Sequence, residues 1–124
     1  MAEQSETLVG RASRALVSMS SWIDEANAHR DAEAAMLHRL IKITEENGEV
    51  ILALIGALGA NPRKGVTNGW DKVLDELLDV AVTALGAYEH LDGHRGRAIP
   101  ALLEKIEAVA ARAGVFQGDS SSEG

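Results

Sequence analysis

At 124 residues the chain can bury one sizeable core and not two, so a single domain is expected. Its 12 Lys and Arg against 19 Asp and Glu leave a net charge of -7, which argues against a nucleic-acid polymer as the main partner, because that role needs a basic face. The absence of cysteine excludes a disulfide framework, a thiolate nucleophile and a zinc site of the Cys type.

Apolar residues make up 46% of the chain and aromatics 3%, with Ala, Leu, Ile, Val and Glu dominant, so an all-α fold is expected. The start, Met1 to Thr7, has neither the basic residues nor the apolar stretch of a signal peptide, and no apolar run approaches membrane-spanning length. A cytoplasmic protein without a membrane partner is the expectation.

From about Ser5 to Ala28, residues such as Leu8, Ala12, Leu16, Met19 and Ile23 recur at spacings of three and four, which predicts an amphipathic helix weakened in its middle by Ser20 and Ser21. Asn27 to Arg30 form a connection, and Asp31 is placed to N-cap a second helix from about Ala32 to Leu58, closed by Gly59. Ala60 to Gly69, rich in Gly, Pro and Asn, reads as a loop carrying the adjacent cations Arg63 and Lys64. A third helix follows from about Trp70 to Leu91 and stops at Asp92-Gly93. The fourth spans about Ile99 to Ala113, with Pro100 in its first turn and Gly114 at its C-cap. Without an internal repeat, this is a four-helix bundle-like domain over residues 1–116, and the tail 117–124 is expected to be disordered.

Two acidic groups carry the chemistry. Glu45, Glu46 and Glu49 lie in an otherwise apolar segment; at ~100° per residue Glu45 and Glu49 are ~40° apart and Glu46 within ~60° of Glu49, so all three share one side. On the third helix Glu76 and Asp79, three apart, also share a side, whereas Asp75 lies further round. If these helices pack antiparallel, four or five carboxylates surround one small volume and need cations to remain ionised. An all-oxygen set with no Glu-x-x-His spacing suits Mg²⁺ or Mn²⁺ better than zinc or di-iron. Gly48 costs about 1 kcal/mol relative to Ala inside a helix, which calls for close approach of a helix or a ligand. Lys42 and Lys72 stand one turn before their carboxylates, as salt-bridge partners or phosphate contacts.

Glu45-Glu46-x-x-Glu49 followed after a loop by Glu76-x-x-Asp79 resembles the signature of the MazG-like all-α nucleoside triphosphate pyrophosphohydrolases. The surrounding Lys-Ile-x-Glu-Glu-x-Gly-Glu-Val, Asn-Pro-Arg-Lys-Gly and Asp-Glu-Leu-Leu-Asp-Val-Ala-Val extend the resemblance over the second and third helices, roughly half the chain. It implies a MazG-type fold and a Mg²⁺-dependent hydrolase that cuts an NTP or dNTP between the α and β phosphates, as in nucleotide-pool housecleaning. By that analogy Glu45 or Glu46, Glu49, Glu76 and Asp79 bind metal. A glutamate of the first motif, Glu45 or Glu46, orients or deprotonates water. Lys42, Arg63, Lys64 and Lys72 are the candidate triphosphate contacts. The resemblance also implies a homodimer or homotetramer, in keeping with helices apolar on more than one side.

Blander roles are assigned elsewhere. Arg63 and Lys64 fit an ordinary exposed loop equally well, and Arg95, Arg97, Lys105 and Arg112 read as surface cations. Trp22 and Trp70 read as core or interface residues rather than base-stacking ones. His29, His38, His90 and His94 show neither metal spacing nor a nucleophilic partner and read as structural or surface. The rival to the enzyme is a catalytically silent helical interaction or regulatory module with the same fold.

Overall fold

Four helices account for the computed structural model, which describes residues 5–118: α1 (Leu8–Ala26), α2 (Ala32–Leu58), α3 (Trp70–Asp92) and α4 (Ala98–Arg112). No strand occurs among the described residues, and no helix is long and apolar enough to cross a membrane. Residues 1–4 and 119–124 lie outside the described set, and with them most of the expected disordered tail and the first part of the N-terminal segment.

Local chemistry sets the helix ends. Thr7 caps α1 by accepting the Gly10 N–H at 3.0 Å, and Asp31 caps α2 by accepting the Ala34 N–H at 2.8 Å. Gly59 and Gly93 end α2 and α3 in the left-handed region, at φ 65° and 83°. His94 follows at φ 58°, a conformation that costs a non-glycine residue about 1–2 kcal/mol. The expected weakness of α1 at Ser20 and Ser21 does not materialise: Ser20 is fully buried and its hydroxyl donates to the Gly86 carbonyl of α3 at 3.0 Å. That serine joins two helices instead of breaking one.

α2 and α3 form an antiparallel hairpin with the largest interface in the molecule; α1 packs on α3, and α4 packs on α1 and α3. At the closed end of the hairpin Asn68 donates from Nδ2 to the Ala53 carbonyl at 2.9 Å. Gly56 makes this approach feasible, since a Cβ there would stand 2.0 Å from Asn68 Oδ1. The buried apolar residues are small or few, namely Leu16, Val50, Ala53, Val73, Ala87 and Ala98. Large apolar side chains stay exposed on all four helices, among them Leu8 of α1, Ile51, Leu52 and Leu58 of α2, Leu74 and Leu78 of α3, and Ile106 of α4. Trp22 and Trp70 are 67% and 55% exposed, so neither belongs to the core of the protomer.

Candidate metal centre and a buried polar network

The antiparallel hairpin brings Glu46 of α2 opposite Glu76 and Asp79 of α3. One carboxylate oxygen from each lies within 4.8 Å of the others. Glu46 and Glu76 line the groove between the helices, with 19% and 12% of their side chains exposed, while Asp79 sits at its open edge. Glu49 and Glu45 are exposed and stand outside this group. With Glu46 aimed at α3, they lie about 60° and 100° round the same flank of α2, out of the groove. Three carboxylates therefore converge where four or five were anticipated.

Each lysine sits one turn before its acid. Lys42 Nζ is 2.9 Å from Glu45 Oε1 and 3.8 Å from Glu46 Oε1, and Lys72 Nζ is 3.2 Å from Glu76 Oε1. The hydrogen bond to Glu45 raises the Lys42 ammonium above its ordinary pKa against the opposing effect of burial, with the charges of Glu45, Glu46 and Glu49 adding to it. Arg63 and Lys64 are exposed in the loop at the tip of the hairpin. Glu46 lies 12 residues before the end of α2, so at 1.5 Å per residue that tip is roughly 18 Å along the axis from the carboxylates. Gly48 has no atom within 4 Å of where its Cβ would be. Nothing inside the protomer makes the close approach that its presence called for.

The donor set fits a hard divalent cation on two counts: every ligand atom is a carboxylate oxygen, and three of them converge in one groove, where Lys42 and Lys72 reach Glu46 and Glu76 from more exposed positions. Glu46, Glu76 and Asp79 are the residues that would hold it.

A cavity of about 320 Å³ opens next to Lys42, with Met19, Trp22 and Ile23 of α1 on one wall and Val82 and Thr83 of α3 on the other. Arg39 and Gly86 lie at its floor, beside a polar network that the sequence left unnoticed. Arg39, buried on α2, donates to the carbonyls of Ser20 and Gly86 and to Asp24 Oδ1 at 2.9 Å. Asp24 also accepts from His90 Nδ1 at 2.9 Å, and His94 Nε2 stands 3.3 Å from its Oδ2. Partial burial alone would raise the Asp24 carboxyl, yet the hydrogen bonds and charges of His90 and Arg39 hold it below its ordinary value. His90 and His94 are thus structural, while His29 and His38 are exposed.

Ser20, His94 and Asp24 meet, but not as a nucleophilic triad. The Ser20 hydroxyl is fully buried and committed to Gly86, and a single nitrogen, His94 Nε2, faces both the serine, at 2.9 Å, and the aspartate. Glu89, also fully buried, accepts the Gly96 and Ala98 N–H groups at 2.9 Å each and so caps α4 from the preceding helix. No spacing rule points to such contacts.

Comparison of the chain with protein-family models, with curated proteins and with solved structures gives no match.

Proposed function

We propose that the chain is a MazG-like, Mg²⁺-dependent nucleotide pyrophosphohydrolase, with Mn²⁺ as an alternative ion. The observation that carries this reading is the convergence of Glu46, Glu76 and Asp79 within 4.8 Å across the hairpin. Acids of two separate motifs, which helix spacing and the sequence resemblance both pair, share one groove. A bound divalent cation supplies Lewis-acid polarisation of the phosphate oxygens and lowers the pKa of water. The protein's own residues do the rest. Glu46, Glu76 and Asp79 hold the charge; Glu45 and Glu49, free of the groove on its flank, are available to orient or deprotonate the attacking water. Attack at the α-phosphorus breaks its bond to the β-phosphate oxygen, leaving a nucleoside monophosphate and pyrophosphate, while the proton of the water passes to the carboxylate base. Lys42 and Lys72, each within 4 Å of a glutamate of the cluster, Glu46 and Glu76, offer ammonium groups to the triphosphate. The apolar cavity beside Lys42 gives the nucleoside a place next to the phosphates.

Self-association belongs to the same proposal. The exposed apolar residues of α2 and α3, together with the uncovered Gly48, form a face suited to a second copy in a homodimer or homotetramer. Mass measured in solution should exceed that of one chain. Gly48→Ala, which meets nothing inside the protomer, should shift it toward the monomer.

The decisive assay is pyrophosphate release from a panel of NTPs and dNTPs with Mg²⁺ or Mn²⁺. Turnover that disappears on chelation is expected. No turnover on any nucleotide, with no Mg²⁺ or Mn²⁺ binding by calorimetry, would leave the silent interaction module as the function.

A further inference from the structure

α2 packs mainly against α3, and the face it turns away from that helix is apolar along most of its length. Leu37, Ile41, Thr44, Gly48, Ile51, Ile55 and Leu58 follow one another at alternating spacings of four and three. This is the heptad rhythm of a helix that packs along another helix, and it is kept over the 21 residues from Leu37 to Leu58. The five large members of the stripe are each between 38% and 64% exposed, Thr44 is exposed, and Gly48 has no atom within 4 Å of where a Cβ would stand. At ~100° per residue Gly48 lies ~160° round α2 from Glu46, so the stripe is on the opposite side of the helix from the carboxylate groove.

Two properties select a second copy of this chain as what covers the stripe. The first is symmetry. Gly48 is the fourth of the seven positions, with a matching set on either side. In an antiparallel copy related by a two-fold axis through Gly48, Ile41 meets Ile55 of the second copy, Thr44 comes beside Ile51, and Leu37 comes beside Leu58. The glycine at the crossing, without a side chain, lets the two helix axes approach to the near end of the ~8–10 Å range of helix pairs. Sliding the copy by one heptad would leave part of the stripe bare at both ends.

The second property is charge. Arg63 and Lys64 at the hairpin tip are exposed, as are Asp31 and Glu33 at the start of α2, and none of the four forms an ion pair among the described residues. Glu33 stands 15 residues before Gly48 and Arg63 stands 15 residues after it. Antiparallel pairing therefore carries the cations of each copy to the acids of the other, whereas a parallel pair would set like charges together at both ends. Near the axis, Glu45 is already paired with Lys42 at 2.9 Å, and Glu49 lies ~100° round from Gly48, clear of the contact.

We propose that two copies of this chain pair antiparallel along α2, with the two-fold axis at Gly48 and the Arg63–Lys64 loop of each seated on the Asp31–Glu33 turn of the other. This pairing rests on the self-association put forward above, not on the nucleotide chemistry. It leaves the carboxylate groove uncovered and employs two loop cations that lie roughly 18 Å along the axis from the carboxylates.

The chain has no cysteine of its own, which suits a disulfide test. Ile41 and Ile55 sit seven residues on either side of the axis. Each faces the other across the pair, while two copies of the same residue stand ~21 Å apart at ~1.5 Å per residue, far beyond the ~7 Å between Cα atoms that a disulfide can bridge. An equimolar mixture of Ile41→Cys and Ile55→Cys chains, combined under reducing conditions and then oxidised, should give a covalent dimer on a non-reducing gel, and each variant alone should give almost none. A second measure does not touch the stripe. Charge reversal at the tip, Arg63→Glu with Lys64→Glu, should weaken dimerisation in sedimentation equilibrium on the order of tenfold, and adding Glu33→Lys to the same chain should restore most of it. Cross-linking of Ile41→Cys alone as readily as in the mixture would mean a parallel pair and would overturn the arrangement. So would a protein that is dimeric by mass yet gives neither the mixed cross-link nor a response to charge reversal. A chain that stays monomeric at every concentration would overturn both the pairing and the self-association beneath it.

Discussion

Arg39 Nη2 and Asp24 Oδ1 stand 2.9 Å apart and join α2 to α1 with only 8% of the arginine side chain exposed. Removing one member of such a pair strands the other, so Asp24→Ala should cost about 3 kcal/mol in urea unfolding at pH 7. The pH dependence follows from the direction of the Asp24 shift. A carboxyl held below its ordinary value contributes stability that is fully present above the unfolded value of about 3.9 and is lost as the pH falls through the folded one. The gap between wild type and variant should therefore shrink below about pH 4. A gap that is unchanged at pH 3 would show that the Asp24 charge is not the source.

Glu46, Glu76 and Asp79 repel one another in the metal-free protein. Asp79→Asn or Glu46→Gln should raise the melting temperature of the metal-free protein by roughly 2–4 °C, since relief of about 0.5–1 kcal/mol is worth that much. The same variants should weaken Mg²⁺ binding by calorimetry by about 10–100-fold or more, a loss comparable with that caused by disturbing outer ligands. Glu49→Gln, outside the converging group, should lose less affinity than Asp79→Asn. The reverse order would move the metal toward Glu49.

A methyl group at position 56 has no room. With Asn68 Oδ1 at 2.0 Å and Thr67 Oγ1 at 2.7 Å from the added Cβ, Gly56→Ala should push the loop off α2. The cost should be about 1–3 kcal/mol by denaturant midpoint, as for overpacking elsewhere. Asn68 would then lose its bond to the Ala53 carbonyl. Unchanged stability would mean that this end of the hairpin yields easily.

Glu89→Ala strands the Gly96 and Ala98 N–H groups. Each unsatisfied buried donor costs about 1–3 kcal/mol, so a loss of about 3 kcal/mol is expected, with faster amide exchange concentrated in α4. Exchange rising evenly over all four helices would argue instead for a global role of the carboxylate.

Helix existence and ends were legible because their causes are local. Asp31 and Gly59 bound α2 at the expected residues, and Gly93 stops α3, since caps and left-handed glycines act within one turn of chain. The pairing of Glu46 with Glu76 and Asp79 was legible too, because a short loop between two long helices leaves little choice but an antiparallel hairpin.

Other features were settled only by how the helices sit against one another. Rotation of α2 about its own axis placed Glu46 in the groove and left Glu45 and Glu49 on the flank, and a difference of 60° between neighbouring turns is below what spacing can resolve. The meeting of Ser20, Asp24, Arg39, His90 and His94 draws on three helices and a loop. The burial of Glu89 joins α3 to the connection that follows it and to the start of α4. In the sequence these are ordinary polar residues scattered over 75 positions from Ser20 to His94. Their partnership exists only because apolar burial in so small a core is too limited to hold α1, and hydrogen bonds in a partly dry interior supply the rest.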